Sequence, residues 1–374
     1  MGYNLTKKQQ EGLEICLQRY KEGKPYTVIA GYAGTGKSYL VNAIVDAFGF
    51  AEDEVAYASF TGKAALVLQN QGKAAMTLHK LLYKSYPNGY GGFVHRPKPE
   101  LDEELKLIIV DEISMCPKKL WNLLMKHNRY VIALGDPFQL PPIDKDSDNG
   151  LLNKPHIFLT EVMRQALDND IIKYSMQLRE GKNLKTGIKG TNIQTYNKSN
   201  LNEGMLLWAD QILCAKNDTR KNLNNQIRKL LGFTDTLNEN DKLICIKNYW
   251  DYASLNGECL VNGLTGQVSN INTKMTNTIR ATFNIGEDSF GELLLDHKLL
   301  KEGKPFIEYT KRGKVLPKKS IEMDFGYAIT VHKAQGSQFN KVLVYDDCWL
   351  QGEEYRRWLY TAITRAIDKV VVLL

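Results

Sequence analysis

Residues 26–38, YTVIAGYAGTGKS, join a short apolar run rich in β-branched residues to a glycine-rich turn and the start of a helical pattern. The run 26–30 is too short for a buried helix and predicts a buried strand. GYAGTGKS fits the spacing G-x-x-x-x-G-K-S, in which glycines let backbone amides wrap around phosphates at a helix N-terminus. The sequence therefore predicts a nucleotide-binding loop formed by Gly31, Ala33, Gly34, Thr35, Gly36 and Lys37, with Ser38 as a ligand of Mg²⁺.

The alternation of strand and helix continues beyond this loop. Further strands are predicted at residues 55–58, 107–110 and 130–134, and helices at 38–48 and 62–69. A second pattern begins near residue 164, with strands at 211–215, 341–345 and 369–373. Such alternation is typical of α/β units with parallel sheets. The 374 residues are therefore expected to form two such units.

Two insertions are predicted within these units. Residues 83–100 combine Pro, Gly, Asn and aromatic residues, and the pair Asn88 and Gly89 is a strong hairpin signal. Residues 241–322 favour a compact β module, with strands such as 266–271 and 279–283. The first α/β unit then comprises residues 1–82 and 101–163, and the second comprises residues 164–240 and 323–374.

The composition is that of a globular protein, with 43% hydrophobic and 24% charged residues, which excludes disordered and fibrous classes. No apolar stretch approaches the roughly 20 residues that a membrane span needs. Six scattered cysteines without a C-x-x-C pair indicate neither a disulfide framework nor a zinc site, and they predict an intracellular, cytoplasmic protein. The net charge of +7 is compatible with a polyanionic partner.

Two carboxylates and an amide follow the other strands of the first unit. Asp111 and Glu112 come directly after the run 107–110, and Gln139 follows the run 130–134. Ligands of open parallel sheets bind at the carboxyl ends of strands, so these groups are expected beside the phosphate loop. Asp111 would hold Mg²⁺, Glu112 would polarise the attacking water, and Gln139 would position it. Nucleotide hydrolysis is therefore the predicted reaction.

The complete series of motifs resembles the superfamily 1 class B DNA helicases, of the Dda and RecD type. The matching elements, with their first and last residues, are LTKKQ (5–9), GYAGTGKS (31–38), FTGKAA (60–65), TLH (77–79), VDE (110–112), GDPFQLPP (135–142), EVMR (161–164), AITVHKAQG (328–336) and LYTAITR (359–365). One departure is Tyr32, where the family often has proline, and we expect little consequence from it.

The resemblance implies two RecA-like domains that bind ATP between them, with the hairpin as a separation pin and the second insertion as a small SH3-like β-barrel. It implies that Gln9 reads the adenine edge and that Arg164 and Arg365 act as arginine fingers. It also implies that Gln335 and Gly336 are nucleotide-binding residues that couple nucleotide to DNA. The implied catalytic set is Lys37, Glu112, Gln139, Arg164 and Arg365.

DNA contacts are implied on another face, through groups that suit the sugar-phosphate chain. They are Thr61, Lys63, Thr77, His79, Thr330, His332 and Lys333, each of which taken alone is more often an ordinary helix or loop residue. Phe93 is the implied pin aromatic, with Tyr90 as its substitute, and packing against the first unit is the alternative for Tyr83 and Tyr86. The basic residues at 311–314 and 318–319 fit DNA contacts or a solvated edge equally well.

These implications describe an ATP-dependent DNA helicase that moves 5′ to 3′ on single-stranded DNA. Two alternatives stay open: a translocase or annealing ATPase without true unwinding, and an ATP-switched DNA-binding module with negligible turnover. The expected partners are single-stranded and forked DNA, with single-stranded-DNA-binding or replication proteins as candidates and no membrane. A monomer is expected, of a kind typical of phage or bacterial accessory helicases in replication, repair or recombination.

Overall fold

The computed structural model describes residues 3–87, 93–141, 148–163, 168–257, 259–273, 277–307 and 320–374. Several sequence predictions fall elsewhere. Arg164, Asn88, Gly89, Tyr90 and the basic residues at 311–314 and 318–319 lie outside the described residues, as does the side chain of Phe93.

The strands of the described part are, in chain order, β1 (Tyr26–Gly31), β2 (Val55–Ser59), β3 (Ala75–Thr77), β4 (Tyr83–Pro87), β5 (Phe93–Pro97), β6 (Leu107–Asp111), β7 (Tyr130–Gly135), β8 (Ile157–Leu159), β9 (Ile193–Tyr196), β10 (Gln211–Cys214), β11 (Lys242–Cys245), β12 (Tyr249–Ala253), β13 (Cys259–Leu260), β14 (Thr265–Asn272), β15 (Thr278–Ile285), β16 (Asp288–Asp296), β17 (Met323–Phe325), β18 (Ala328–Thr330), β19 (Phe339–Tyr345) and β20 (Ala366–Leu373).

The α-helices of the described residues are α1 (Lys7–Lys21), α2 (Lys37–Phe48), α3 (Gly62–Asn70), α4 (Leu78–Leu82), α5 (Lys118–Met125), α6 (Asp170–Arg179), α7 (Glu203–Trp208), α8 (Asn217–Leu230), α9 (His297–Glu302), α10 (Val331–Ala334) and α11 (Gly352–Ile363). None of these helices combines the length and the apolar character that crossing a bilayer requires, within the part of the chain that the structure describes.

The first sheet has the order β3-β2-β6-β7-β1-β8, and all of its pairs are parallel. Every residue of β2 and β7 is buried, as expected for strands covered on both faces. The sequence did not predict β3 and β8, because three residues are too few to show a periodicity. Adjacent strands β6, β7 and β1 bring the three polar turns of the sequence to one edge of the sheet.

The second sheet is also parallel, with the order β18-β10-β19-β20-β9. Its two outer strands, β18 and β9, were not predicted from the sequence. The predicted α/β class with parallel sheets is confirmed.

Antiparallel pairing occurs in both predicted insertions. Strand β4 pairs with β5, with Tyr83 opposite Pro97 and Tyr86 opposite Val94. A five-stranded sheet has the order β16-β15-β14-β11-β17, and β12 pairs with β13. Because β17 pairs with β11, the antiparallel sheet extends past the boundary predicted at residue 322.

A buried ion pair joins helix α8 to the start of this antiparallel sheet. Asp241 is fully buried and accepts hydrogen bonds from Arg228 Nε at 3.0 Å and from Arg228 Nη2 at 3.0 Å. The Tyr327 hydroxyl and the Asn238 amide also donate to this carboxylate. A charge buried this completely is tolerated only while its partners are in place.

We expect Asp241→Ala to lower the free energy of unfolding by about 3–5 kcal/mol, since the buried Arg228 guanidinium would lose its counter-ion. Urea denaturation followed by circular dichroism measures this change. The exposed Asp235→Ala is the matched control and should stay within about 0.5 kcal/mol of wild type. Equal stabilities for the two variants would contradict the structural role of the pair.

Candidate nucleotide site and nucleic-acid-binding groups

The loop after β1 has the backbone that a phosphate-binding turn requires. Gly36 caps α2 with a φ of 75°, and Gly34 has a φ of 76°, a region that glycine adopts without strain. A side chain at position 36 would also collide with Gln9, whose Nε2 lies 2.6 Å from the place of a Cβ. Lys37 Nζ donates to the carbonyls of Gly31 at 2.7 Å and Tyr32 at 3.0 Å. The side chain of Lys37 thus bends back along the loop that is predicted to bind the phosphates.

Gln9 is buried beside this loop. It forms a reciprocal cap with Thr6 at the start of α1, and its Nε2 donates to the Thr35 carbonyl at 3.4 Å. Met163 reaches the same place from the EVMR segment, with its amide donating to the Gly34 carbonyl at 2.9 Å. Met163 therefore lies against the phosphate loop.

A cleft of about 400 Å³ opens between the two α/β units. Of the residues predicted from the sequence, those that line it are Ala33, Gly34, Gly36, Lys37, Ser38, Asp111, Glu112, Gln139, Gly336 and Arg365. Gln9, Gly31, Thr35 and Gln335 do not line it. Ser38 and Asp111 offer hydroxyl and carboxylate oxygens to the same space, and such oxygens are the ligands that suit Mg²⁺.

Glu112, Gln139 and Arg365 meet in this cleft. Arg365 Nη1 lies 3.7 Å from Glu112 Oε1. The orientation of the Gln139 side-chain amide follows from the groups around it. In the orientation that satisfies them, its nitrogen donates to Glu112 Oε2 at 3.1 Å and its oxygen accepts from Arg365 Nη2 at 3.0 Å. Glu112 has a φ of 52°, an uncommon backbone conformation for a glutamate. An arginine of the second unit therefore contacts the carboxylate and the amide that the first unit presents.

Burial dominates the electrostatics of these carboxylates. It raises the pKa of Glu112, while the positive charge of Arg365 acts in the opposite direction. Burial likewise raises the pKa of Asp111, although the Glu112 amide donates to its Oδ1 at 2.8 Å. Both carboxylates thus take up a proton more readily than exposed ones do.

The second unit also holds the loop that carries Gln139. The Leu140 amide donates to Thr361 Oγ1 at 2.9 Å, and the Leu140 carbonyl accepts from Gln335 Nε2 at 2.7 Å. Asp136, at the other end of the loop, accepts from the Tyr360 hydroxyl at 2.5 Å. Gln335 therefore contacts the loop of the first unit, although the sequence predicted it among the nucleotide-binding residues.

Tyr32 makes a contact that a proline would lack. The Arg179 guanidinium lies 3.7 Å above the centre of its ring, and Phe158 packs edge-on against the ring at 5.1 Å. Arg179 belongs to α6 of the second unit, so this cation–π contact crosses between the units. Tyr32 therefore has a packing contact that the sequence did not indicate, and the expectation of little consequence stays a prediction.

The motifs and their geometry agree with comparisons to known proteins. A family model described as an AAA domain matches residues 4–200, more than half of the chain, and one described as a UvrD-like helicase C-terminal domain matches residues 325–373. The chain belongs to the family whose model is described as an AAA domain. The resemblance inferred from the sequence is confirmed.

Relatives of known sequence agree with this membership. The chain is 30% identical to an ATP-dependent RecD2 DNA helicase of Deinococcus radiodurans, over 98% of this chain and 49% of that protein. It is 26% identical to the ATP-dependent DNA helicase Dda of Enterobacteria phage T4, over 62% of this chain and 58% of that protein. The chain therefore spans less than two thirds of the length of these two helicases.

Solved structures show the same fold. A Pif1 helicase from Candida albicans superimposes with a TM-score of 0.51 and 20% identity, covering 100% of this chain and 94% of that one. A structure described as the basis for DNA unwinding at forked double-stranded DNA by two coordinating Pif1 helicases gives a TM-score of 0.54 and 17% identity, covering 99% and 92%.

Two of the three threonine hydroxyls that the helicase resemblance assigns to DNA accept hydrogen bonds from nearby backbone amides. Thr61 Oγ1 accepts from the Ala64 amide at the start of α3, and Thr77 Oγ1 accepts from the Lys80 amide at the start of α4. Thr330 is the N-cap residue of α10, which carries the half-buried His332 and Lys333. Burial lowers the pKa of both His332 and Lys333.

Lys63 and His79 pack against rings. The Lys63 ammonium lies 3.9 Å from the centre of the Phe339 ring in the second unit and 3.5 Å from Thr265 Oγ1. His79 stacks on Tyr83 at 5.8 Å and lies 5.9 Å from Phe60. Both residues thus make protein contacts at positions that the family resemblance assigns to DNA.

The tyrosines of the hairpin differ in their surroundings. Tyr83 packs against the core of the first unit, as the alternative from the sequence expected. Tyr86 does not pack back, since 42% of it is exposed, and the cationic groups of Lys84 and Arg96 lie 5.8 and 5.9 Å from its ring centre. The hairpin therefore exposes an aromatic ring that has two cationic side chains near it.

The sequence analysis missed the hydrogen bonds that join the two units beside the cleft, which involve Asp136, Tyr360 and Thr361. All three residues lie within motifs that were recognised in the sequence. In those two motifs, the sequence analysis assigned a chemical role only to Gln139 and Arg365. A hydroxyl that bonds across the cleft has no pattern in the sequence, because its partner lies hundreds of residues away.

We expect the stability contribution of Lys63 to depend on pH. Burial, with a smaller effect from the charge of Lys242, lowers the pKa of Lys63 to about 7. The unfolded chain holds this proton up to a higher pH, so between pH 7 and about pH 10 the folded state gains stability as the pH rises. The melting temperature of wild type should therefore rise relative to that of Lys63→Met over this range.

The exposed Lys80→Met is the control for this measurement, and its melting temperature should follow that of wild type at every pH. A constant difference between wild type and Lys63→Met from pH 7 to about pH 9 would contradict the lowered pKa of Lys63.

Proposed function

We propose that this chain is an ATP-dependent DNA helicase that translocates on single-stranded DNA, with the 5′ to 3′ direction expected of its family. The observation that carries the proposal is the meeting of Glu112, Gln139 and Arg365 in a cleft beside the phosphate loop. This arrangement needs both α/β units, so hydrolysis and the relative position of the units are linked. A nucleotide-dependent change of that position is a general source of movement along a strand.

The chemistry follows from the charges around the cleft. The phosphates of ATP would draw Lys37 away from the carbonyls of Gly31 and Tyr32, because an ammonium prefers an anion to a peptide dipole. Ser38 and Asp111 would hold Mg²⁺, which supplies charge neutralisation on the phosphate oxygens. These residue types suit a Walker-type ATP site, and two relatives of the chain are named as ATP-dependent helicases.

Glu112 would orient the attacking water, and Gln139 would hold both that carboxylate and Arg365 in place. Arg365, together with Arg164 as the family resemblance implies, would stabilise the charge that develops during phosphoryl transfer. The contact between Arg365 and Glu112 would then give way to contacts with phosphate and water. An ATP-switched module with negligible turnover has no need of this carboxylate.

We propose that the protein translocates along single-stranded DNA. Thr61, Lys63, Thr77 and His79 of the first unit, with Thr330, His332 and Lys333 of the second, would contact the sugar-phosphate chain. The expected DNA affinity is independent of base sequence and decreases with salt. A solved structure with the same fold is described as a Bacteroides Pif1 bound to single-stranded DNA.

The two antiparallel insertions would act at the junction of single and double strands. The hairpin of β4 and β5 would serve as the separation pin, with Phe93 as its contact and the exposed Tyr86 as a second aromatic surface. The sheet from β11 to β17 would form the small SH3-like barrel beside it. We also propose that the two main domains are RecA-like and have the bounds predicted from the sequence. A monomeric state and an intracellular location are part of the same proposal.

The decisive experiment is unwinding of a duplex with a 5′ tail against one with a 3′ tail. Wild type should unwind the 5′-tailed substrate with ATP and Mg²⁺, whereas Glu112→Gln should bind ATP and lose turnover by at least about 10²-fold, since the general base is gone. A fluorescence-quench unwinding assay and a phosphate-release assay measure these activities. The exposed Glu104→Gln is the matched control.

Each alternative has its own outcome in these assays. ATP hydrolysis stimulated by oligo-dT without unwinding of either substrate would favour the translocase or annealing ATPase. Negligible hydrolysis by wild type, with ATP-dependent DNA affinity, would favour the switched module. Preference for the 3′-tailed duplex would contradict the expected direction.

Substitutions in the hairpin should separate translocation from strand separation. Phe93→Ala and Tyr86→Ala are expected to slow duplex unwinding while ATPase activity and single-strand affinity stay near wild type, because base stacking contributes about 1–3 kcal/mol at the junction alone. Tyr83→Ala is the control that should lower the melting temperature, since Tyr83 packs on the core. Normal unwinding by Phe93→Ala, Tyr90→Ala and Tyr86→Ala, or parallel loss of all activities, would contradict the pin.

A further inference from the structure

Both hydrogen bonds of the Tyr360 hydroxyl cross from the second unit to the first. The hydroxyl accepts from the Ala33 amide at 2.9 Å and donates to Asp136 Oδ2 at 2.5 Å. Ala33 belongs to the phosphate loop after β1, and Asp136 follows the neighbouring strand β7. One oxygen atom therefore connects helix α11 to two of the loops that line the nucleotide cleft.

The surroundings of the Tyr360 hydroxyl keep it protonated, so that it can donate a hydrogen bond to Asp136. Tyr360 is fully buried, and its ring packs edge-on against Phe138 at 5.2 Å. Burial raises the pKa of Tyr360 well above that of an exposed tyrosine, so the hydroxyl keeps its proton. Removal of the oxygen would take one hydrogen-bond partner from a buried carboxylate and one from a backbone amide.

The arginine that reaches into the cleft follows directly after helix α11 in the chain. Arg365 lies two residues beyond Ile363, where α11 ends. Its guanidinium donates to the Thr361 carbonyl at 3.2 Å and to the Ser337 carbonyl at 3.4 Å. These bonds fix the guanidinium relative to the helix, so its distance from Glu112 and Gln139 depends on where the helix lies.

We propose that Tyr360 is a positioning residue that sets the distance between helix α11 and the phosphate loop and thereby aligns Arg365 for ATP hydrolysis. The proposal rests on the proposed function, because Arg365 has this task only if the cleft hydrolyses ATP. Thr361 supplies a second fixed point through its bond from the Leu140 amide. Misplacement of a catalytic group by about 1 Å is enough to cost much of the rate.

The test compares two tyrosine-to-phenylalanine variants on the same helix. Tyr360→Phe removes the oxygen that joins the units. Tyr355→Phe removes a bond from a tyrosine to Asp346 Oδ2, 2.7 Å long, that lies wholly within the second unit. Each variant is made in the wild-type chain and combined with Arg365→Ala. The measurements are hydrogen exchange of residues 31–36 without nucleotide, steady-state ATPase with oligo-dT, and melting temperature.

Tyr360→Phe should speed amide exchange in residues 31–36, because Ala33 loses its acceptor. It should lower kcat about tenfold and change the KM for ATP by less than about threefold, since phosphate binding is retained while alignment is lost. In the Arg365→Ala background the same substitution should change kcat by less than about twofold, because the group that it aligns is absent. Tyr355→Phe should leave exchange and kcat as in wild type.

Several outcomes would overturn the proposal. Unchanged exchange in residues 31–36 would show that the bond does not hold the loop. Faster exchange with unchanged kcat, or losses of kcat that multiply with Arg365→Ala, would show that Tyr360 does not act through Arg365. Equal effects of Tyr355→Phe, or a fall in melting temperature that accounts for the loss, would assign Tyr360 to folding alone. A wild-type protein that hydrolyses no ATP contradicts the proposed function instead, and the exchange comparison alone then decides whether the bond holds the loop.

Discussion

Residues 136–140 are held by hydrogen bonds from the second unit at both ends, and the geometry of the nucleotide cleft depends on those bonds. Tyr360 contacts Asp136, while Thr361 and Gln335 contact the two backbone groups of Leu140. These groups are buried, so an unmade bond would leave a polar atom without water. All of these bonds are made at the separation that the two units have in this structure, in which Arg365 lies beside Glu112 and Gln139.

Each of the two units supplies a cation that stabilises the ionised carboxylates inside the cleft. Burial makes the ionised forms of Asp111 and Glu112 costly, and the positive charges of Lys37 and Arg365 act against that cost. Lys37 comes from the first unit and Arg365 from the second. The left-handed backbone at Glu112 turns its side chain at the end of β6, and backbone strain of this kind is common at functional sites. Such a site favours an anionic ligand that can engage both cations.

Contacts outside the cleft connect the insertions to the same arrangement. Gly62 begins α3, and a Cβ at this position would overlap Val261 of the antiparallel module, so the module lies directly on the helix that follows Thr61. Lys63, next in the chain, lies against Phe339 of the second unit. Groups that the family resemblance assigns to DNA thus sit where the module and both units meet. A strand bound there would contact the module and both units.

The sequence determined much of this protein by itself. The short apolar runs predicted the inner strands of both sheets, since burial on both faces leaves a continuous pattern that local reading detects. The glycines, Lys37, Asp111 and Glu112 were visible because phosphate and metal chemistry demand those residue types at fixed spacings. Strands β3 and β8 were missed because three residues show no period.

Only the tertiary structure decided how these parts face one another. The bonds of Tyr360 join residues that are 224 and 327 positions apart, and no local pattern encodes such a partner. The same holds for Arg179 above Tyr32 and for Lys63 above Phe339, where a side chain typical of a solvated surface lies against a ring of the other unit. The spacing of residues along the sequence indicates which chemical groups are available. The packing between distant segments determines which other groups they contact.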